Sequence, residues 1–175
     1  MIGVLADKEE IGSCGATGMR CRLLADLIDE IARVTGTNAN VIRANSMCLS
    51  ADVAAGFDPL YPEVFEKRNS ALLSCGVVMS KYTGARGKSG SNDAAAEYVG
   101  KVRAIFEAND VIWQTAEIGK VDAGGGGTVA MYIANHNIDT VDLGVAVISM
   151  HAPYEVISTA DLYMTKRAFE VFFKD

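Results

Sequence analysis

Short apolar runs alternate along this chain with longer stretches of helical periodicity. The apolar runs have the length of buried strands and cover residues 2–6, 47–52, 76–81, 111–116 and 140–150. Helical patterns lie between and after these runs, over residues 19–34, 38–45, 63–73, 92–108, 129–135 and 159–173. Such spacing is typical of βαβ units, so we predict an α/β fold with a mostly parallel sheet flanked by helices.

The length of the chain predicts a single domain, and its composition narrows the classes of function that this domain can have. Half of the 175 residues are hydrophobic, which is enough for a proper core, and the formal net charge is −6. An acidic chain lacks the basic face that nucleic acids require, and no apolar run approaches the length of a membrane span. The four cysteines lack metal-site spacing and the N-terminus lacks the pattern of a signal peptide, so we expect reduced, buried thiols in a cytoplasmic protein.

Two adjacent carboxylates follow the first apolar run, in the stretch Asp7-Lys8-Glu9-Glu10-Ile11-Gly12-Ser13. At the end of a strand both side chains can turn into one crevice, where they repel each other unless a cation or a proton lies between them. A metal ion would explain the pair, with one glutamate as its ligand and the other as a base. The alternative is a solvated acidic turn, which is the commoner environment of a Glu-Glu pair.

The ends of other predicted strands supply similar chemistry. Asp52 follows the second apolar run, Glu117 the fourth and His151 the fifth. Because ligands bind outside the carboxyl ends of parallel strands, we expect these side chains to share one crevice with the two glutamates. Carboxylate oxygen and imidazole nitrogen are donors that zinc, cobalt and manganese accept. Taken singly, His151 is more often a core histidine and Asp52 a turn cap, so only the combination indicates a metal site.

Two glycine-rich segments lie among these elements, at residues 83–90 and 124–127. The first lies between a predicted strand and a predicted helix, as a phosphate-binding loop does, but a tyrosine stands where that motif requires glycine. We therefore favour a role for Lys81, Arg86 and Lys88 in attracting an acidic substrate group, with a solvated basic loop as the alternative. The second segment either binds an anion at the next helix or lets the backbone approach a neighbour closely.

Five stretches of the chain together resemble the aspartyl aminopeptidase family of dinuclear zinc metallopeptidases. They are VLADKEEIGS, NSMCLSADV, KYTGARGKSGSNDA, GKVDAGGGGTVA and LGVAVISMHAPYEVISTADLYMT, in the order of that family and over nearly the whole chain. The combination of EEIGS, SAD, GGGGT and SMHA is far more specific than any one of these motifs. The resemblance implies a zinc-peptidase-like fold of the phosphorylase/hydrolase-like type. It also implies removal of N-terminal residues from peptides, with acidic first residues favoured in some members.

The same resemblance implies roles for individual residues. Glu9 matches the general base, Glu10 and Asp52 match ligands of different metal ions, and His151 matches the histidine that shares the ion held by Glu10. Two zinc ions, or cobalt or manganese in their place, would hold a water from which Glu9 takes a proton before passing it to the leaving amine. Positions near the substrate pocket are matched by Lys81, Gly126, Gly127 and Thr128.

The chain departs from this family in two ways. Lys8 stands where a histidine usually precedes the two glutamates, and no histidine follows Asp52 closely, as in a bacterial branch. The family's proteins are also more than twice as long, and their first metal histidine and bridging aspartate find no match here. We therefore interpret residues 1–175 as the C-terminal part of one catalytic domain, incomplete at the N-terminus and without the inserted dimerisation domain.

Two functional hypotheses follow from this interpretation. In one, another segment or chain completes a working aminopeptidase; in the other, the chain is a catalytically silent module for folding or assembly. Loss of the bridging carboxylate predicts weak zinc binding and little hydrolysis by the isolated chain. An incomplete sheet exposes a strand edge, so we expect a homo-oligomer that covers it, with peptides as the other partners.

Overall fold

The computed structural model describes residues 1–86, 89–120 and 122–175. Within these ranges the helices are α1 (Leu23–Thr35), α2 (Ala39–Ala44), α3 (Ala96–Ala108), α4 (Ala130–Ala134) and α5 (Thr159–Phe172). The strands are β1 (Met47–Ala51), β2 (Ala54–Ala55), β3 (Val77–Ser80), β4 (Tyr82–Ala85), β5 (Ser89–Asp93), β6 (Trp113–Thr115), β7 (Asp139–Gly144), β8 (Ala146–Ile148) and β9 (Val156–Ile157). Short 3-10 turns lie at Glu9–Ile11, Pro62–Val64 and Lys67–Asn69. None of the described helices combines the length and hydropathy that crossing a bilayer requires.

The central sheet has four strands in the order β1-β7-β3-β6. β1 pairs in parallel with β7, and β3 pairs in parallel with β6, whereas β3 and β7 are antiparallel. β7 is buried along nearly its whole length, as expected for an inner strand of a sheet covered by helices. The predicted α/β fold with a mostly parallel sheet is confirmed, with one antiparallel pairing at its centre.

The main hydrophobic core lies between the central sheet and helices α3 and α5. Its buried side chains include Val77, Met79, Val141 and Leu143 from the sheet, Tyr98, Val102, Ile105 and Phe106 from α3, and Ala168 and Phe172 from α5. The α3 residues recur every three to four positions, so one face of the helix meets the sheet. Packing of this kind fixes the central strands and therefore the segments that leave their ends.

A smaller sheet of order β2-β8-β9 continues the paths of β1 and β7. β2 is parallel to β8, so the chain from β1 to β2 runs beside the chain from β7 to β8. Both paths are interrupted together, near Asp52 in one and between Gly144 and Ala146 in the other. Gly144 lies against the Asp52 carbonyl oxygen, which a Cβ at this position would overlap. The single strand predicted over residues 140–150 is therefore divided in two beside Asp52.

The prediction of a buried strand over residues 2–6 is wrong. In the described structure these residues form no strand, and their side chains are exposed, with Leu5 99% accessible. An isolated bridge between Asp7 and Gly18 follows them. A strand needs a neighbour that pairs with its backbone N–H and C=O groups, and an apolar run does not specify that neighbour.

The helix predicted over residues 63–73 and the burial predicted for the cysteines also need correction. Two 3-10 turns occupy part of that stretch, and Phe65 packs against Phe57 with ring centroids 5.5 Å apart instead of joining a helical stripe. All four cysteines are free thiols as predicted, but Cys14 and Cys75 are exposed. An aromatic residue in a helical pattern therefore does not guarantee a helix. A reduced thiol, likewise, need not be buried.

In the described part of the basic segment, residues 83–85 and 89–90 belong to the antiparallel strands β4 and β5. The next helix begins only at Ala96, four residues later than predicted, so within the described residues the segment leads into a strand and not into the helix that a phosphate-binding loop requires. Gly87 and Lys88 lie outside the described residues. The β4–β5 hairpin packs against the second glycine-rich segment.

Candidate metal and catalytic site

The two adjacent glutamates lie in the 3-10 turn Glu9–Ile11, between two residues with left-handed backbone conformations. Lys8 has a φ of 65° and Gly12 a φ of 91°, and the Ser13 N–H donates to the Lys8 carbonyl oxygen at 2.7 Å. A left-handed lysine is strained, and such strain is concentrated at functional segments of proteins. The turn leaves Glu9 half-buried and Glu10 exposed.

Asp52 follows β1 at the break between the two sheets. Its N–H donates to the Leu143 carbonyl oxygen at 3.2 Å, which keeps the backbone beside the end of β7. Its carboxylate Oδ1 accepts a hydrogen bond from the Val53 N–H at 2.7 Å. The carboxylate is therefore fixed by its own neighbour at the point where the strand ends.

His151 lies in the turn after β8 and contacts Glu10. Ser149 and His151 have φ values of 62° and 67°, and the His151 N–H donates to Glu155 Oε1 at 2.7 Å. His151 Nε2 lies 3.3 Å from Glu10 Oε1, with both side chains exposed. The structure thus brings two of the predicted metal ligands together from distant parts of the sequence.

Glu9 and Asp52 share an electrostatic environment with this pair. Burial raises the pKa of Glu9, the negative charges of Asp52 and Glu10 add to the rise, and the Val129 N–H opposes it. Burial also raises the pKa of Asp52; the N–H of its neighbour and the charge of His151 oppose this rise, and Glu10 reinforces it. The four residues predicted as base and metal ligands are therefore close enough to influence one another.

Asp142 belongs to the same environment, although the sequence motifs did not single it out. It lies in β7, between β1 and β3, with 4% of its surface exposed. Burial raises its pKa to about 7; the hydroxyls of Ser50 and Thr128 oppose this rise, and the charges of Asp52 and Glu9 add to it. A carboxylate inside an apolar predicted strand is the signal that could have found it, since buried carboxylates are rare without a partner.

The Glu10–His151 pair fits a zinc-like ion in donor type and in spacing. Zinc takes imidazole nitrogen and carboxylate oxygen at about 2.0–2.2 Å, and ligands of a tetrahedral ion at such distances lie roughly 3.3–3.6 Å apart. The observed separation of 3.3 Å matches this spacing. Over the ranges that the structure describes, no group of three or more His, Cys, Asp or Glu side chains is arranged to hold an ion. The described residues thus bring two donors of the right type into position.

Lys81 and Glu117 form a second group elsewhere on the sheet. Because β3 and β6 run opposite to β7, their carboxyl ends lie toward the start of β7, whereas Asp52 lies beside its end. Lys81 forms an ion pair with Asp93, and burial and Asp93 raise the pKa of Glu117 while Lys81 lowers it. The expectation that all the strand ends share one edge is therefore wrong for these two residues.

Of the other two predicted basic residues, Arg86 directly follows β4. Arg86 is exposed, has a φ of 50°, and donates its N–H to the Gly124 carbonyl oxygen at 2.8 Å. The position of Lys88 lies outside the described residues, so its proposed contact with substrate stays a prediction. Arg86 thus joins the hairpin to the glycine-rich segment through its backbone.

The predicted pocket residues Gly126, Gly127 and Thr128 lie in the loop before α4, beside the hairpin. A Cβ at Gly125 would overlap the Gly84 carbonyl oxygen, and a Cβ at Gly127 would lie 2.8 Å from the Gly90 carbonyl oxygen. Of the two roles considered for these glycines, the structure supports close approach of one backbone to another. Because these glycines have no side chain, the backbone of the loop can pack directly against the backbone of the hairpin.

Comparisons with known proteins agree with the fold and with the motifs. Residues 1–173 match the sequence profile of the family described as Aminopeptidase I zinc metalloprotease (M18). The Probable M18 family aminopeptidase 1 of Clostridium acetobutylicum is 50% identical over 175 residues, covering 98% of this chain and 38% of that protein. The crystal structure of aminopeptidase I from the same organism has a TM-score of 0.89 at 49% identity, covering 98% of this chain and 37% of the other.

A crystal structure of an M18 family aminopeptidase from Thermotoga maritima has a TM-score of 0.90 at 42% identity, covering 95% of this chain and 38% of the other. The chain therefore spans less than two fifths of the length of these relatives. Over nearly all of its own residues the chain is similar to these relatives in both sequence and fold. The chain belongs to the aminopeptidase I family of zinc metalloproteases (M18).

Proposed function

We propose that this chain contributes the general base and part of the metal-binding site to a zinc aminopeptidase. In this proposal Glu9 is the base, Glu10 and His151 bind one zinc ion, and Asp52 binds a second. The observation that supports it most is the 3.3 Å separation of Glu10 Oε1 and His151 Nε2. Burial raises the pKa of Glu9 and of Asp52, the charge of Glu10 adds to both rises, and the charge of His151 opposes the rise at Asp52.

Glu9 suits the role of a group that accepts and then returns a proton. Burial and the neighbouring carboxylates raise its pKa toward the pH at which an enzyme works, which favours general base catalysis. The Val129 N–H interacts with the carboxylate and limits that rise. In the proposed reaction Glu9 takes a proton from the attacking water and delivers it to the departing amine. Zinc, when bound, supplies positive charge that acidifies water and polarises the scissile carbonyl.

The proposed substrate is a peptide with a free N-terminus and an acidic first residue. Because Lys81 lies toward the start of β7, away from Asp52, Lys81, Arg86 and Lys88 would attract this substrate by longer-range charge and not by contact beside the metal ligands. In the structure Lys81 is ion-paired with Asp93, whose negative charge offsets this attraction. We expect Asp93→Asn to raise the ratio of turnover on Glu- over Leu-aminoacyl substrates. An unchanged ratio would mean that Lys81 does not set the preference.

A second candidate is a catalytically silent chain that serves folding or assembly. Two observations favour it: the chain covers 38% of the Clostridium acetobutylicum relative, and only two donors are in contact within the described residues. A two-donor site leaves most of the coordination of zinc to water, so zinc would bind weakly and turnover would be low. The two candidates therefore differ in zinc affinity and in catalysis.

We further propose that the chain associates with copies of itself in the cytoplasm, without nucleic-acid or membrane partners. A formal net charge of −6 disfavours binding to phosphate backbones. Several large apolar side chains are exposed, among them Leu5, Leu60 and Tyr154, and exposed apolar surface is common at subunit interfaces. A monomer mass by light scattering that does not change with concentration would contradict the association.

The test of the proposed reaction is zinc-dependent release of an N-terminal residue. The zinc-loaded chain is assayed on Glu-, Asp- and Leu-aminoacyl chromogenic substrates beside Glu9→Gln, with the exposed α3 variant Glu97→Gln as the matched control. We expect weak turnover that falls by about 10²-fold or more in Glu9→Gln and is unchanged in the control. Equal turnover in Glu9→Gln would contradict the proposal. An absence of turnover with zinc bound would favour the silent chain.

A further inference from the structure

Two chain segments, one through Asp52 and one through Gly144, run side by side where the central sheet meets the smaller sheet. Before this point the last pair is Ala51 of β1 with Leu143 of β7. Beyond it, β2 and β8 resume pairing with the same offset between the two segments. The interruption is therefore not a bulge, since neither segment contains an extra residue, and Asp52 lies directly opposite Gly144.

Contacts between the two backbones hold Asp52 at this position. Its N–H donates to the Leu143 carbonyl oxygen at 3.2 Å, and the Ala54 N–H donates to the Val145 carbonyl oxygen at 2.8 Å. Between these hydrogen bonds, the Asp52 carbonyl oxygen lies against Gly144, in the space that a Cβ would fill. Glycine is the residue that lets one backbone approach another this closely. Asp52 can therefore occupy its observed position because residue 144 has no side chain.

The surroundings of Gly144 determine which of the two segments would yield to a larger side chain. On the side away from Asp52, Gly144 pairs with Val78 of β3, which is buried, so a Cβ at residue 144 would displace Asp52 and not β7. Asp52 Oδ1 accepts from the Val53 N–H at 2.7 Å, so the carboxylate moves with this backbone. We propose that Gly144 is a positioning residue that sets the place of the Asp52 carboxylate. The role of this carboxylate in metal binding rests on the proposed function.

Amide hydrogen exchange at Val53, measured by NMR on the 175-residue chain, tests the positioning of the carboxylate. In wild type the Val53 N–H should exchange at least about ten-fold more slowly than in an unstructured peptide, because it donates to Asp52. Gly144→Ala should remove most of this protection. Gly100→Ala is the matched control, since Gly100 is exposed in α3 and an added Cβ meets no neighbour within 4 Å, and it should leave Val53 unchanged.

A core variant separates positioning from a general loss of stability. Val102→Ala removes buried methyl groups from α3 and so weakens the fold without altering the contact of Gly144 with Asp52. Urea unfolding measures the stability of each variant, and we expect exchange at Val53 to be faster in Gly144→Ala than in Val102→Ala. Unchanged exchange at Val53 in folded Gly144→Ala, or equal acceleration in Val102→Ala, would overturn the proposal. If Gly144→Ala does not fold, an unprotected Val53 in wild type would still overturn it.

Zinc affinity, measured by competition with a chromophoric chelator, connects the positioning with the proposed function. Gly144→Ala should lower the affinity by about three-fold or more in the wild-type chain and should cause no further loss in Asp52→Asn, because Gly144 acts through Asp52. Equal losses in both backgrounds would overturn the proposal. Failure of the proposed function would appear differently, as unchanged zinc affinity in Asp52→Asn with exchange at Val53 still dependent on residue 144.

Discussion

Asp142→Asn is expected to stabilise the folded chain above pH 7 and to have little effect near pH 4. Burial raises the pKa of this carboxyl from its ordinary 3.8 to about 7. The folded state therefore holds the proton more tightly than the unfolded state does. The contribution of Asp142 to stability is fully present below about pH 4 and is lost as the pH rises through about 7, where the ionised carboxylate stays buried.

The size of this effect follows from the two pKa values. The change from 3.8 to about 7 corresponds to at most about 4 kcal/mol between the two limits of pH. Asparagine must still satisfy its own polar atoms: its oxygen can accept from Thr128, and its amino group can donate to Ser50 Oγ. Among the described residues, Ser50 Oγ and Asp142 Oδ1 form no hydrogen bond of good geometry. Ser50 is nevertheless near enough to lower the pKa of Asp142. We therefore expect a gain of about 1–4 kcal/mol at pH 8.

Urea unfolding of the metal-free chain at pH 4, 6 and 8 measures this gain. Asp139→Asn is the matched control, because Asp139 lies in the same strand but is exposed. The difference in free energy of unfolding between Asp142→Asn and wild type should grow from near zero at pH 4, while that of the control stays flat. A difference that does not change with pH, or a loss of stability at pH 8, would refute the reasoning that burial disfavours the charged carboxylate.

Three other changes test the packing and the candidate site. Asp161→Ala removes a buried carboxylate that accepts two backbone N–H groups at 2.6 and 2.7 Å, so the free energy of unfolding in urea should fall by about 3 kcal/mol. Gly144→Ala adds a Cβ that overlaps the Asp52 carbonyl oxygen, which should cost about 2 kcal/mol or more in the same assay. His151→Ala should weaken zinc binding by about ten-fold or more in competition with a chromophoric chelator, whereas Glu97→Gln should not. Unchanged affinity in His151→Ala would mean that zinc binds elsewhere.

The sequence was a good guide to elements whose signals are local. α1 ends at Gly36, which adopts a φ of 68° as expected of a glycine cap, and α5 ends within one residue of its prediction. β1 and β3 also fall inside their predicted apolar runs. Helical periodicity, helix caps and short apolar runs depend on residues that are neighbours in sequence. They can therefore be recognised from a single sequence without knowledge of the fold.

The features that the sequence did not predict depend on pairing between distant segments. The apolar run at residues 2–6 forms no strand in the described structure, because an apolar pattern does not supply a pairing partner. The described part of the basic segment pairs as two antiparallel strands, and the antiparallel pairing of β3 with β7 separates Lys81 from Asp52. Direction and register within a sheet are properties of the whole fold, and local periodicity does not determine them.

The candidate site shows the same division. Motif resemblance singled out Glu9, Glu10, Asp52 and His151, and the structure brings them into one electrostatic environment, while their chemical roles stay predictions. Asp142 was missed because its significance comes from its neighbours: two flanking strands bury it and Thr128 donates to it. No motif in its own stretch of sequence encodes those contacts.

X-ray absorption spectroscopy of the zinc-loaded chain tests whether Glu10 and His151 bind the metal beside Glu9. We predict nitrogen and oxygen neighbours at about 2.0–2.2 Å, with an imidazole contribution that disappears in His151→Ala. The four free cysteines offer a competing set of ligands. Sulfur neighbours at about 2.3 Å, or an imidazole signal that persists in His151→Ala, would contradict the claim.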